Sequence, residues 1–301
     1  MNRRDFLSGA VLAPATALPI LDLAASGAAA QTKIRRVGGP NLKLSCNLYS
    51  FNSQLRSGEM TLDQVLEFCA ELGFAAVDPT AYYFPGYPKV PPDDYLYHIK
   101  RKAFLLGLDI SGTGVRNDFT VPDAGKRDAD VELVAIWIEC AARLGAPVLR
   151  VFAGQGIPQG HDEEEVSGWV VQALRKCAEL GRKSGVIVVV QNHNDFLKTA
   201  DQTVRLLRVV DSEWVALHLD IGSYRTGDPY EEISMVVPYA VTWQIKESVY
   251  FKDREAKTDL VRLFKIIKDA GYRGYLPLET LEGDPRVKLP KFLDEARKAL
   301  A

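Results

Sequence analysis

Four short apolar runs in the second half of the chain each end in a group able to do chemistry. They are Val186-Ile-Val-Val-Val-Gln191, Val215-Ala-Leu-His-Leu-Asp220, Ala240-Val-Thr-Trp-Gln244 and Tyr275-Leu-Pro-Leu-Glu279. Two carboxylates and two amide oxygens make an all-oxygen set. Such ligands suit Mg²⁺, Mn²⁺ or Ca²⁺ better than zinc or copper. Asp220 and Glu279 together would balance a dication, with Gln191 and Gln244 completing the metal set. The same four groups also suit a metal-free, hydrogen-bonded ring, with Lys246 or Arg150 as counter-ion. Lys246 is placed to hold an oxyanion or a substrate oxygen. His193 and His218 are the candidates that titrate near neutral pH, and His193 is grouped with the catalytic set.

These groups meet only if the strands that carry them close on one another. Residues two apart on a strand face the same side, so His218 goes with Asp220, and Thr242 and Lys246 go with Gln244. The chain alternates short β-branched runs with longer stretches of helical spacing. Strands are predicted at 44–49, 75–79, 108–113, 147–152, 186–191, 215–220, 240–246 and 274–279. Helices are predicted at 61–72, 94–106, 127–144, 162–184, 199–210, 229–237, 258–270 and 286–300. Gly follows the helix end at Leu72-Gly73, Leu106-Gly107, Leu144-Gly145, Ser184-Gly185 and Ala270-Gly271, a common stop signal. Thr61 and Thr199 read as N-caps. Eight units in about 270 residues predict an α/β fold, a single (β/α)₈ TIM barrel over residues 31–301. No Gly-x-Gly-x-x-Gly follows the first strand, which argues against an open dinucleotide-binding sheet.

A barrel keeps its chemistry at the C-terminal rim of its strands. Asn47, Asp78, Arg116, Arg150, His218 and Glu247 are therefore expected substrate contacts. The Pro- and Tyr-rich stretch from Thr80 to Pro92 is the longest insertion and is expected to wall the mouth. Asp109 opens its strand and belongs to the opposite rim. Asp162-Glu-Glu-Glu165 reads as a solvated first helical turn.

The 301 residues are 47% hydrophobic, and 37 basic groups nearly cancel 39 acidic ones for a net charge of −2. No basic run marks a nucleic-acid partner. The expected partner is a small carbohydrate, and a homo-oligomer is left open. Residues 1–30 read as an export signal. Arg3-Arg4-Asp5-Phe6-Leu7 precedes an apolar stretch broken by Pro14 and Pro19, and Ala28-Ala29-Ala30 offers a cleavage site. A paired Arg ahead of a modestly apolar segment points to the twin-arginine route and a periplasmic or otherwise exported protein. No stable membrane span is then expected. The four cysteines, Cys46, Cys69, Cys140 and Cys177, form no C-x-x-C pair and read as buried free thiols.

Six segments in order resemble the sugar phosphate isomerase/epimerase family, the xylose isomerase-like barrels. They are Gly73-Phe-Ala-Ala-Val-Asp78, Val148-Leu-Arg-Val-Phe152, Val189-Val-Gln-Asn-His193, His218-Leu-Asp-Ile-Gly222, Gln244-Ile-Lys-Glu247 and Leu276-Pro-Leu-Glu279. The resemblance spans essentially the whole mature chain. It implies a divalent metal held by Glu, Asp, His and Glu at the ends of strands five to eight, with the two Glu as an acid/base pair. This chain departs from that pattern. Gln191 stands at the first Glu, Gln244 at the His, Asp78 where a Glu is common, and Glu247 at an Asp. A glutamine takes no proton near neutral pH, so one of two bases is missing and Glu279 remains. The expectation is an exported carbohydrate-active isomerase or epimerase-like enzyme working next to a sugar carbonyl. A lyase or hydratase acting on a keto-sugar or keto-glycoside is the first alternative. A non-catalytic periplasmic sugar-binding barrel is the second.

Overall fold

The computed structural model describes residues 34–301. The expected export signal and the expected new N-terminus at Gln31 lie outside the described residues. The elements run β1 (Asn41–Asn47), α1 (Asn52–Ser57), α2 (Leu62–Glu71), β2 (Ala76–Asp78), α3 (Asp93–Leu105), β3 (Asp109–Ile110) and β4 (Thr113–Gly114). Then come α4 (Ala124–Leu144), β5 (Val148–Phe152), α5 (Glu163–Ser184), β6 (Ile187–Gln191), α6 (Ala200–Val210) and β7 (Val215–Asp220). The last third is α7 (Pro229–Val236), β8 (Ala240–Lys246), β9 (Ser248–Phe251), β10 (Arg254–Lys257), α8 (Leu260–Asp269), β11 (Arg273–Glu279) and α9 (Pro285–Leu300).

Nine strands form one sheet in the order β3-β2-β1-β11-β8-β7-β6-β5-β4, and every pairing in it is parallel. Its two ends, β3 and β4, are successive pieces of one extended stretch. The sheet therefore curls until the chain itself bridges the edges, which is a TIM barrel with its third strand interrupted. The interruption is at Ser111-Gly112. Ser111 donates its N–H to Val77 O at 2.8 Å and reaches Ser45 Oγ at 2.7 Å. A Cβ on Gly112 would come within 2.9 Å of Val148 Cγ2, so only glycine lets this strand close on the next.

Leu149, Val151, Val188, Val190, Leu217, Leu219, Trp243, Ile245, Leu276 and Leu278 face outward and pack under the helices in one continuous core. Inside the barrel a small apolar layer of Val148, Val189 and Ala216, with Ile187 and Val241 against it, lies below the polar rim. Buried on both faces, these strands read as nearly unbroken apolar runs.

Local signals explain the helix limits. Thr61 and Thr199 each form a reciprocal capping box, with Gln64 and Gln202, satisfying two otherwise orphaned backbone donors. α4 and α5 stop at Gly145 and Gly185, both left-handed at φ 86° and 70°. All four cysteines are free and buried. No helix among the described residues is long and apolar enough to cross a membrane.

Three features depart from the sequence reading. The short helix α1 between β1 and α2 is additional. The third strand is split, as above. The stretch after β8, read as leading straight to a helix at 258, first forms the antiparallel hairpin β9–β10. Its two-residue turn is Lys252-Asp253, both at positive φ (50° and 61°). That twist suits a tight hairpin, and the usual Asn-Gly signal is absent.

Candidate active site

Parallel register staggers the rim. Gln191 is level with His218, Asp220 with Gln244, and Lys246 with Glu279. Each strand thus climbs two residues past its neighbour, the stagger that tilted strands impose on a barrel. Inward side chains on successive strands then form an ascending ring.

β8 needs a correction in register to join that ring. Between β7 and β8 the pairing shifts, from Leu217 opposite Ala240 to His218 opposite Thr242. The extra residue is a bulge. It lets Val241 pack into the lower apolar layer while Thr242, Gln244 and Lys246 also point inward above it. With unbroken alternation from Val241, Trp243 and Ile245 would face inward, and Gln244 and Lys246 would face the helices.

The ring is closed by hydrogen bonds. Gln191 Nε2 donates to Asp220 Oδ2 at 2.9 Å and to Gln244 Oε1 at 2.7 Å. Lys246 Nζ donates to the same Asp220 oxygen at 2.7 Å and stands 3.6 Å from Glu279 Oε2. Asp220 Oδ1 accepts the Gly222 N–H at 2.9 Å. Asn192 braces the peptide of Asp220 reciprocally: its Nδ2 donates to Asp220 O and its Oδ1 accepts the Asp220 N–H, both at 2.9 Å. Gly222 also makes room for the lysine, since a Cβ there would lie 2.9 Å from Lys246 Cδ.

Burial and charge set the protonation states. Burial alone would push Asp220 up, but the charge and hydrogen bond of Lys246 hold it below its ordinary value. Burial alone would lower Lys246, but Asp220 and Glu279 outweigh it and hold the ammonium above its ordinary value. Glu279 is pushed up by burial, against the nearby Lys246 charge and with the help of Asp220. It is 1% exposed, and neither oxygen has a hydrogen bond of ordinary geometry. A buried carboxylate with free lone pairs at the edge of a cavity is set up to take a proton.

The mouth above is a cavity of about 260 Å³ that gathers Asn47, Arg116, Arg150, Gln191, His193, Gln244, Lys246 and Glu279. Arg150 is fixed by Val115 O at 2.6 Å and the Tyr82 hydroxyl at 3.0 Å, and lies over the Phe152 ring at 4.3 Å. His193 packs edge-on to Phe152 and pairs with Asp195 at 3.1 Å. Asn47 caps the turn after β1 by accepting the Tyr49 N–H.

Three sequence-picked residues are placed elsewhere. His218 lies beneath the ring, 1% exposed, with Nε2 3.3 Å from Gln244 Oε1. Burial and the Arg150 charge lower it to about 3, so it is a neutral donor to Gln244. Asp78 is buried at the end of β2 and raised to about 6 by burial, against Arg150 and with Glu279 adding to the rise. Glu247 pairs with Lys288 at 3.3 Å and faces a second cavity. That cavity, of about 710 Å³, is roofed by the β9–β10 hairpin and shares Lys246, Glu279 and Leu281 with the mouth. Tyr49, Tyr82 and Gln155 line the mouth without having been singled out. Tyr82 sits in the Pro- and Tyr-rich insertion, the one sequence signal that pointed to it.

The donor set does not fit a divalent cation. Gln191 presents hydrogens, not an oxygen, to Asp220. Both Asp220 oxygens and the Gln244 oxygen already accept protein N–H groups. Among the described residues, no cluster of three or more His, Cys, Asp or Glu side chains is placed to hold a metal ion.

A parallel barrel with a buried carboxylate–lysine pair at its C-terminal rim is an α/β barrel with its charged groups at the end where such barrels keep their sites. The family model described as xylose isomerase-like TIM barrel matches residues 66–300, and the chain belongs to that family. A search of curated proteins finds no match. Solved structures with the same fold include D-psicose 3-epimerase from Clostridium cellulolyticum with D-tagatose, at 17% identity, TM-score 0.70, 86% of this chain and 99% of that one. Another is 3-keto-D-glucoside 4-epimerase from E. coli, at 13% identity, TM-score 0.68 and the same coverage of 86% and 99%. A third, a xylose isomerase-like TIM barrel protein from Mycobacterium smegmatis in complex with magnesium, matches at 19% identity, TM-score 0.65, 86% and 98%. At these identities the likeness is one of fold.

Proposed function

We propose that this protein is a carbohydrate-active enzyme of the isomerase/epimerase type that removes a proton next to a sugar carbonyl. Glu279 is the base. Lys246 holds the carbonyl oxygen as negative charge develops there, an electrostatic role suited to a buried site. Arg150, Arg116 and Asn47 orient the hydroxyls. The observation that carries this reading is the Glu279–Lys246 pair: a buried carboxylate with no hydrogen bond of ordinary geometry, 3.6 Å from an ammonium, at the base of the mouth. The two similar epimerases act on sugars by their names, which supports the substrate class.

The adjoining cavity favours a specific second reading. The mouth alone falls below the ~300–1,000 Å³ typical of small-molecule pockets, and the hairpin-roofed lobe falls within that range. A keto-glycoside would set its keto-sugar in the mouth and its second group in the lobe. Removal of the proton by Glu279 would then form a C=C bond as the glycosidic C–O bond breaks. The leaving alkoxide would take back the proton that Glu279 had removed and depart as the alcohol, restoring the base and giving a lyase. Both readings are tested by offering ketoses and keto-glycosides in D₂O and following exchange at the carbon beside the carbonyl. Exchange is expected, with kcat/KM at least ~10-fold higher for the glycoside, on the order of one well-made contact. Absence of exchange with every keto-sugar would sink the enzymatic reading and leave a binding barrel.

The reading includes export. The Arg3-Arg4 pair and Ala28-Ala29-Ala30 support it, and phosphorylated sugars are then poor substrates because they are mainly cytosolic. N-terminal sequencing of the protein from the periplasmic fraction is expected to begin near Gln31. Recovery of the intact Met1 form from the cytoplasm alone would reject it.

A further inference from the structure

We infer that Lys246 and Gln191 stand in for the divalent cation of this barrel, so that the site works without a bound metal. A dication would sit between Asp220 and Glu279. Lys246 Nζ already occupies that place electrostatically, 2.7 Å from one carboxylate and 3.6 Å from the other. Gln191 supplies a second donor to the same Asp220 oxygen and ties it to Gln244.

The ring is self-consistent only in this sense. Turning the Gln191 amide over would set its oxygen against the Asp220 and Gln244 oxygens. Gln244 could turn with it, but the contact with the Asp220 carboxylate would still need a cation, and the ammonium of Lys246 is already bonded to Asp220. A further donor to Gln244 Oε1, His218 at 3.3 Å, comes from below. His218 is buried and neutral, and its Nδ1 has no partner, so it holds the ring without adding charge. Of the four strand-end groups, Glu279 keeps its carboxylate oxygens and Gln191 its Oε1 free of hydrogen bonds, while both Asp220 oxygens and Gln244 Oε1 are taken. One carboxylate and one amide oxygen supply a single negative charge to a hard cation, which is usually held by more than one carboxylate. The substitution of an amide at 191 also removes one negative charge that a dication would have balanced. The freed Glu279 lone pairs remain available to substrate, so the charge replacement and the base share one arrangement.

The inference shares its residues with the proposed function but is tested without turnover. The full chain is purified, dialysed against a chelator, and its metal content measured by mass spectrometry. Thermal unfolding is then followed with and without added MnCl₂, MgCl₂ and CaCl₂. The expected result is far less than one metal per chain before dialysis and no shift in Tm on addition of any of the three. One tightly held metal per chain, whose removal lowers Tm, would overturn the inference even if sugar exchange were seen. A Gln191→Glu/Gln244→His double variant is expected to take up Mn²⁺ with a rise in Tm of several degrees. If it folds and gains no Mn²⁺, the two glutamines are not what excludes the ion and the charge-replacement argument fails. Because the wild-type measurement stands alone, a double variant that does not fold leaves the test intact.

Discussion

Glu279→Gln is expected to remove turnover while leaving the barrel folded. A positioned general base contributes on the order of 10²–10⁴ in rate, and the resemblance-expected second base at 191 is an amide here. The loss should therefore reach ~10³-fold or more, read as solvent exchange at the substrate carbon. Gln keeps the shape of Glu and cannot take the proton. Stability should hold or rise, because the substitution removes a buried charge that lacks hydrogen bonds of ordinary geometry. Lys246 keeps its 2.7 Å bond to Asp220. Turnover unchanged in the folded variant would reject Glu279 as the base.

The same carboxylate sets a pH signature. Its folded pKa is raised by burial and by Asp220, against the opposing pull of Lys246. The acid limb of kcat/KM should then lie above the ordinary carboxylate range, since the base must be ionised to act. For stability the sign is the reverse of a salt-bridged acid. A raised carboxyl binds its proton more tightly folded than unfolded, so its contribution is fully present below the ordinary value and is lost as pH rises through the folded value. Asp78, raised to about 6, acts in the same direction over the window from its ordinary 3.8 up to about 6. Asp220, held low by Lys246, acts in the opposite direction, and its contribution is lost as pH falls below its ordinary value. Urea unfolding across this range in wild type and Glu279→Gln separates the Glu279 part.

Lys246→Met is expected to be the most damaging single change at the site. The methionine fills much of the stem's volume but leaves Asp220 and Glu279 facing one another without a cation. Removing one partner of a buried ion pair costs about 3–5 kcal/mol, and Lys246 is mostly buried at 15% side-chain exposure against 0% for both carboxylates. Part of that loss should return as the pH is lowered by about two units, because the abandoned carboxylates can then share protons instead of repelling. Activity should fall at least as far as in Glu279→Gln, since the developing oxyanion loses its counter-charge. Stability at neutral pH within about 0.5 kcal/mol of wild type, the range of ordinary surface changes, would reject the view that the lysine balances this pair.

The chemistry-bearing strand ends, the helix caps and the barrel class were all legible in the sequence, because each is a local or periodic signal. Alternation on the strands placed Gln191, Asp220, Gln244 and Glu279 at one rim. Apolar runs buried on both faces declared a parallel sheet. The capping pairs Thr61 with Gln64 and Thr199 with Gln202 depend on residues three apart and need no tertiary information. The β9–β10 hairpin escaped notice because its turn is Lys252-Asp253, with one turn-favouring residue and no glycine to mark the two positive-φ positions. The lobe it roofs, and hence the room for a larger substrate, was invisible for the same reason.

What only the tertiary structure decided is how the strand-end groups are used. Residue type allowed either a metal cage or a hydrogen-bonded ring. The choice lies in which way the Gln191 amide points and in whether Lys246 reaches between the carboxylates, and both depend on neighbouring strands brought together from far along the chain. The bulge at Val241–Thr242 was equally hidden, yet it lets Gln244 and Lys246 face inward above an apolar layer. Periodicity within a strand says which residues share a face. Register between strands, set by closure of the whole barrel, says which of those faces meet and which atoms lie within hydrogen-bond distance.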